Sequence, residues 1–123
     1  MNEKTIVIVG ASDKPDRTSN QLIRRLQKRG GFHVIPVNPV LQQIEGLPVT
    51  PSLSNVPPRP DIVSLYVGAK ISAGLETELE RLKPGKVIFN PGAENPGLQE
   101  ALLRHGIEGE EACSLVLLSQ NAL

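Results

Sequence analysis

A loop suited to holding a phosphate follows the first apolar run of the chain. Residues 5–9 are apolar and end at Gly10, and the next loop carries Lys14 and Arg17 ahead of the hydroxyl and amide side chains at 18–20. These side chains are of the kind that cap helices, and the N–H groups at a helix start favour an anion. The alternative is a purely structural loop, in which Gly10 only permits a turn and the Ser19 hydroxyl only caps the helix. Lys14 and Arg17 would then simply be solvated.

Other side chains capable of chemistry are isolated along the sequence. His33 lies beside an apolar run and His105 precedes Gly106 at a predicted helix end, so each is expected to be structural. The acidic residues near Cys113 disfavour a reactive thiolate. Neither Cys-x-x-Cys nor His-x-x-x-His spacing occurs, and we predict no metal site and no catalytic residue.

A nicotinamide dinucleotide site is the main alternative to be weighed. Its usual pattern is G-x-G-x-x-G with a carboxylate about 20 residues further on. Here only Gly10 of the three glycines is present, and the second apolar run ends at Asn38 without a carboxylate. A carboxylate at the end of the second run would repel a phosphate group carried on a ribose, and this chain has none there. An oxidoreductase-like or redox-sensing domain is therefore the less favoured prediction.

Apolar runs alternate with helical patterns along the chain. Strands are predicted at 5–9, 32–37, 61–67, 86–90 and from 107, and helices at about 22–29, 69–82 and 96–105, with an apolar helix or strand at 113–118. Residues 38–60 contain six prolines and are predicted to be a loop-rich crossover with one helical turn near 52–56. Pro36 should lie at the end of a short second strand, because proline cannot donate to a ladder.

This alternation predicts the α/β class. We expect a single Rossmann-like, doubly wound domain over residues 1–123, with a parallel sheet of about five strands and helices on both faces. A chain of 123 residues is enough for one domain.

Composition narrows the function classes. Lys plus Arg and Asp plus Glu number 13 each and aromatic residues make up 2%, so a nucleic-acid partner is not expected. A single cysteine cannot form an internal disulfide, and the apolar run after Lys4 is too short for a signal peptide or a membrane span. The sequence predicts a cytoplasmic location with no membrane partner.

Taken together, these motifs resemble a known family. The likeness covers nearly the whole chain. It rests on residues 9–12, 14–15, 17–20 and 34–39, on Gly46 and Val49, and on residues 51–53, 61–63, 90–95 and 111–118. The chain resembles the small bacterial CoA-binding domain proteins, which are similar to the N-terminal CoA-binding domain of the succinyl-CoA synthetase α subunit.

The resemblance implies that coenzyme A lies across the carboxyl edge of the sheet. Its pyrophosphate would lie over the first loop, its adenosine beside the end of the second strand, and its pantetheine arm past the ends of the third and fourth strands. The implied binding residues are Gly10, Ala11, Ser12, Lys14, Arg17, Ser19 and Asn20; then Val37, Asn38 and Pro39; then Val67, Gly68, Asn90, Pro91 and Gly92.

The implied function is that of a stand-alone carrier, sensor or regulatory module for CoA or an acyl-CoA, without catalysis. In the synthetase, the phosphorylated histidine belongs to a following domain, which this length does not accommodate. Cys113 is expected to be a small buried hydrophobe, with a mixed disulfide to the CoA thiol as the alternative. A scaffold that binds a partner through the basic face at 24–29 is a further alternative, and the apolar run at 115–118 permits a homodimer.

Overall fold

The computed structural model describes residues 3–123, so the first two residues of the predicted domain lie outside it. The strands are β1 (Lys4–Val9), β2 (Phe32–Val37), β3 (Gln43–Ile44), β4 (Leu47–Pro48), β5 (Ile62–Leu65), β6 (Lys86–Phe89) and β7 (Gly109–Glu111). The helices are α1 (Thr18–Arg29), α2 (Ala69–Ser72), α3 (Glu76–Leu82), α4 (Pro96–Arg104) and α5 (Ser114–Ser119), with 3-10 turns at Leu53–Asn55 and Ala73–Leu75.

Five strands form one parallel sheet in the order β2-β1-β5-β6-β7. Ile6 and Ile8 pack with α1 and α5 on one face, whereas Val7 and Val9 pack with α3 and α4 on the other. Successive side chains point to opposite faces, so a strand covered on both sides must be apolar throughout, as β1 is. The predicted fold class and its five-stranded parallel sheet are confirmed.

The path of the chain reverses next to β1. From β1 the chain passes through α1 to β2 on one side, and it then returns to β5 on the other side of β1. The helices that follow β1 and β5 lie on opposite faces of the sheet. A crevice opens at the carboxyl edge where the connections diverge in this way, and ligands of open α/β sheets bind there.

The second strand has the predicted bounds, and Pro36 lies near its end as expected. β2 has six residues and matches β1 along its whole length, with Pro36 as the penultimate residue. The carbonyl of Pro36 accepts a hydrogen bond from Thr50 N at 2.9 Å, on the side away from β1. In a parallel strand the N–H and C=O groups of one residue point to the same side. The missing N–H of Pro36 would therefore point away from β1, so the proline removes no donor from the ladder between β1 and β2.

Two segments differ from the prediction. Residues 38–60 contain the predicted turn at Leu53–Asn55, but they also contain the small antiparallel hairpin of β3 and β4, which was missed. The single helix predicted at 69–82 is divided by the 3-10 turn Ala73–Leu75, which includes Gly74. Glycine is the least favourable residue after proline inside a helix, which accounts for the break. The segment at 113–118 forms a helix, α5.

Candidate functional site

A cavity of about 340 Å³ lies at the carboxyl edge of β1, β5 and β6. It is lined by residues from the loop after β1, from the first turn of α1 and from the ends of β5 and β6: Gly10, Ser12, Lys14, Arg17, Thr18, Ser19, Tyr66 and Pro91. The cavity therefore occupies the reversal point of the sheet, where the topology predicts a ligand.

Gly10 allows the first loop to pass close to the end of β5. Its φ is +84°, a backbone conformation that other residues rarely adopt. A Cβ atom at this position would come within 2.9 Å of Val67 Cγ1 and within 3.2 Å of the backbone carbonyl of Tyr66. The amides of Gly10 and Ala11 both donate to Val37 O at 3.2 Å, which fixes the loop against the end of β2.

Helix α1 begins at the cavity without a side-chain cap. The N-cap residue is Arg17, and its side chain makes no capping hydrogen bond with the first turn. The prediction that a hydroxyl or amide at 18–20 caps the helix is therefore wrong, because those residues already lie inside the first turn. Ser19 and Asn20 are buried there, and Lys14 and Arg17 are exposed on the loop. Uncapped N–H groups beside two cations form an environment that favours anions.

Two asparagine side chains hold the first loop from behind. Asn20 is fully buried, and its Nδ2 donates to Ser12 O at 3.0 Å while its Oδ1 accepts from Arg24 Nε at 2.8 Å. Asn38 Nδ2 donates to Ala11 O at 3.0 Å, and its Oδ1 accepts from the amides of residues 40 and 41. The side-chain amides of Asn20 and Asn38 both form hydrogen bonds within the protein, so they shape the loop instead of lining the cavity.

A buried polar network lies under the ends of β5 and β6. Asn90 Nδ2 donates to Ser64 Oγ at 2.8 Å and to Leu65 O at 2.9 Å, and Asn90 Oδ1 accepts from Ser114 N at 2.8 Å. The hydroxyls of Ser64 and Ser114 are 2.8 Å apart. Every member is buried, so the network fixes the start of α5 against the sheet. Asn90 is therefore a positioning residue in this structure.

Tyr66 lies between this network and the cavity. It lines the cavity, but its hydroxyl is buried and has no hydrogen-bond partner among residues 3–123. Burial raises the pKa of Tyr66 to about 12, and Cys113 adds to that rise, while the hydroxyls of Ser64 and Ser114 act in the opposite direction. The phenol is neutral near pH 7 and supplies the cavity with an aromatic wall.

The remaining predicted residues lie around the cavity. Val37, Asn38 and Pro39 end β2 beside the first loop, Val67 and Gly68 connect β5 to α2, and Gly92 lies in the turn after Pro91. Six predicted residues line the cavity: Gly10, Ser12, Lys14, Arg17, Ser19 and Pro91. Sequence reasoning missed Thr18 and Tyr66. The position of Tyr66 near the carboxyl end of a predicted strand was the signal that could have identified it.

The half-buried Cys113 occupies the N-cap position of α5. Of the two histidines, His33 is exposed on β2 and His105 follows α4. No helix within residues 3–123 has the length and apolar character needed to cross a bilayer.

Comparison with known proteins identifies the family. The family model described as "CoA binding domain" matches residues 4–119, which is nearly the whole chain. This chain belongs to the CoA binding domain family. The resemblance predicted from the residues is therefore confirmed, and the cavity lies on a CoA binding domain.

Individual relatives agree with this assignment. The domain is 35% identical over 75 residues to "Uncharacterized protein YneT" of Bacillus subtilis (strain 168), covering 61% of this chain and 55% of that protein. It is 29% identical over 122 residues to Acetate--CoA ligase (ADP-forming) I of Archaeoglobus fulgidus, covering 98% of this chain and 18% of the ligase. The chain thus spans about half of the first protein and a small part of the second.

Solved structures share the fold of this CoA binding domain. Cell-free ID.343 from Thermus thermophilus matches with a TM-score of 0.87 at 27% identity, over 98% of this chain and 91% of that one. The two chains therefore share one fold over nearly their full lengths.

Proposed function

We propose that this protein binds coenzyme A or an acyl-CoA at the cavity on the carboxyl edge, and that it acts as a stand-alone carrier, sensor or regulatory module. The observation that carries the proposal is the position of this cavity in a CoA binding domain. It lies at the reversal point of the sheet and is bordered by an uncapped helix start with Lys14 and Arg17 beside it. A pyrophosphate is the group that such a border favours.

The proposed pose follows the order of the strands. The pyrophosphate lies over residues 10–12 near Lys14 and Arg17, and the adenosine borders Val37, Asn38 and Pro39. The pantetheine arm then passes residues 67–68 and 90–92. The ends of β2 and β6 are three strand spacings apart, about 14 Å, which a molecule as long as CoA can span.

The side chains of the cavity favour binding over catalysis. Within residues 3–123 its lining includes hydroxyls and two cations, but no carboxylate, histidine or cysteine that could serve as a general base. Tyr66 has a pKa raised to about 12, which makes its phenolate scarce near neutral pH. We therefore expect no turnover of acetyl-CoA, measured as release of free thiol, at protein concentrations that saturate binding.

Calorimetric titration with CoA, acetyl-CoA, dephospho-CoA, NAD and NADH tests the ligand. We expect CoA to bind and loss of the 3′-phosphate to weaken binding. Arg17→Ala and Lys14→Ala should each weaken CoA binding by roughly tenfold, the usual effect of one charge-assisted contact.

The matched control is Arg25→Ala, which removes an exposed cation of α1 that does not line this cavity. It should leave CoA affinity unchanged. Binding of NAD and NADH, without binding of CoA or its derivatives, would show that the cofactor is a nicotinamide dinucleotide. Equal losses in all three variants would show that general charge, and not this site, attracts the ligand.

A further inference from the structure

A cluster of possible metal ligands lies away from the cavity, between α3 and α4. Glu76 and Glu80 are one helical turn apart on α3, and His105 immediately follows α4. The carboxylate oxygens and an imidazole nitrogen of the three residues all lie within 4.8 Å of one another. Glu80 Oε1 and His105 Nε2 are already in contact.

The charges of this cluster are incompletely balanced. The neighbouring acids Glu78 and Glu100 form ion pairs with arginines, at 2.6 and 3.3 Å. Glu76, by contrast, has no ion pair among residues 3–123, and Glu80 pairs only with His105. Both carboxylates of the cluster are half-buried, so a single imidazole faces two acids that are partly withdrawn from water. A divalent cation would neutralise both.

We propose that Glu76, Glu80 and His105 bind a divalent transition-metal ion such as Zn²⁺. Two carboxylates and one imidazole form a ligand set that suits Zn²⁺, whereas Mg²⁺ and Ca²⁺ prefer oxygen ligands alone. Ligand atoms bonded to one ion at about 2.1 Å lie at most about 4.2 Å apart, so any pair of atoms near the 4.8 Å limit must move closer together. Rotation of the glutamate side chains supplies that movement.

The consequence of binding would be a clamp between two helices. α4 runs from the end of β6 to the start of β7, so His105 lies at the amino edge of the sheet, opposite the proposed CoA cavity. The side chain of His105 is 54% exposed, which leaves room for a water molecule as a fourth ligand. The metal therefore links α3 to α4 and has no part in the binding of CoA.

The test is thermal unfolding of the metal-free protein, without CoA, on addition of Zn²⁺, together with the visible absorption of bound Co²⁺. We expect saturating Zn²⁺ to raise the Tm by several degrees, because the ion binds the folded chain. His105→Gln and Glu76→Gln should each weaken Zn²⁺ binding by at least about tenfold, because loss of a ligand costs no less than loss of its supporting contacts.

Matched controls are His33→Gln and Glu100→Gln, which remove the other histidine and an exposed acid of α4. Both should respond to Zn²⁺ as the unmodified protein does, and His105→Gln should also abolish the Co²⁺ spectrum. No Zn²⁺ response, an unchanged response in His105→Gln, or an equal response to Mg²⁺ would overturn the proposal. If the unmodified protein responds to Zn²⁺ but does not bind CoA, the result counts against the CoA proposal alone.

Discussion

Replacement of Gly10 by alanine tests how closely the first loop must approach β5. The positive φ of +84° should cost an alanine about 1–2 kcal/mol. The new Cβ would also come within 2.9 Å of a Val67 methyl group and 3.2 Å of the Tyr66 carbonyl, and overpacking of this kind costs about 1–3 kcal/mol. We therefore expect Gly10→Ala to lower the free energy of unfolding by about 2–5 kcal/mol.

Gly92→Ala is the matched control for this substitution. Gly92 has a similar φ of +90°, but no atom lies within 4 Å of the Cβ position. Gly92→Ala should therefore introduce the same backbone strain as Gly10→Ala, and it should reduce the entropy of the unfolded chain by the same amount. It does not introduce the close contact. Urea unfolding followed by circular dichroism should show Gly10→Ala to be less stable than Gly92→Ala by about 1–3 kcal/mol. Equal stabilities would refute the close approach.

Three further predictions concern the supporting structure. Asn90→Ala should lower the free energy of unfolding by about 1–3 kcal/mol in urea titrations, because it leaves the buried amide of Ser114 without its acceptor. A change below about 1 kcal/mol would show that the network is dispensable. Tyr66 has its pKa raised from 10.0 to about 12, so it ionises first in the unfolded chain. Its stabilising contribution is complete below pH 10 and is lost, by up to about 3 kcal/mol, as the pH rises to 12. Stability curves of Tyr66→Phe should lack this loss, and identical alkaline slopes would contradict the assignment. Gly85→Ala places a Cβ 2.6 Å from Asp61 O and should lower the Tm by several degrees in calorimetry, whereas a Tm equal to that of the unmodified protein would show that the loop shifts freely.

Much of the fold could be predicted because local patterns decide it. The continuous apolar character of β1 required helices on both faces, and the alternation of strands with helices required parallel pairing. The hairpin of β3 and β4 was missed because its strands have two residues each, too few to show any period.

The candidate site was predicted unevenly for a related reason. Lys14 and Arg17 were identified by charge and by their place after β1, and both line the cavity. Asn20 and Asn90 were also predicted to bind the ligand, but tertiary contacts engage both amides inside the protein. Amide side chains bind ligands and backbone groups equally well, so residue type alone does not separate the two roles.

The fold class, the family and the loop at which an anion is expected could be predicted from residue order alone, because they depend on patterns along the chain. The positions of Tyr66 at the cavity and of His105 beside Glu76 and Glu80 became visible with the folded chain. These residues are far apart in the sequence, and the pairing of strands and the packing of α3 against α4 decide their distances. No local pattern contains that information.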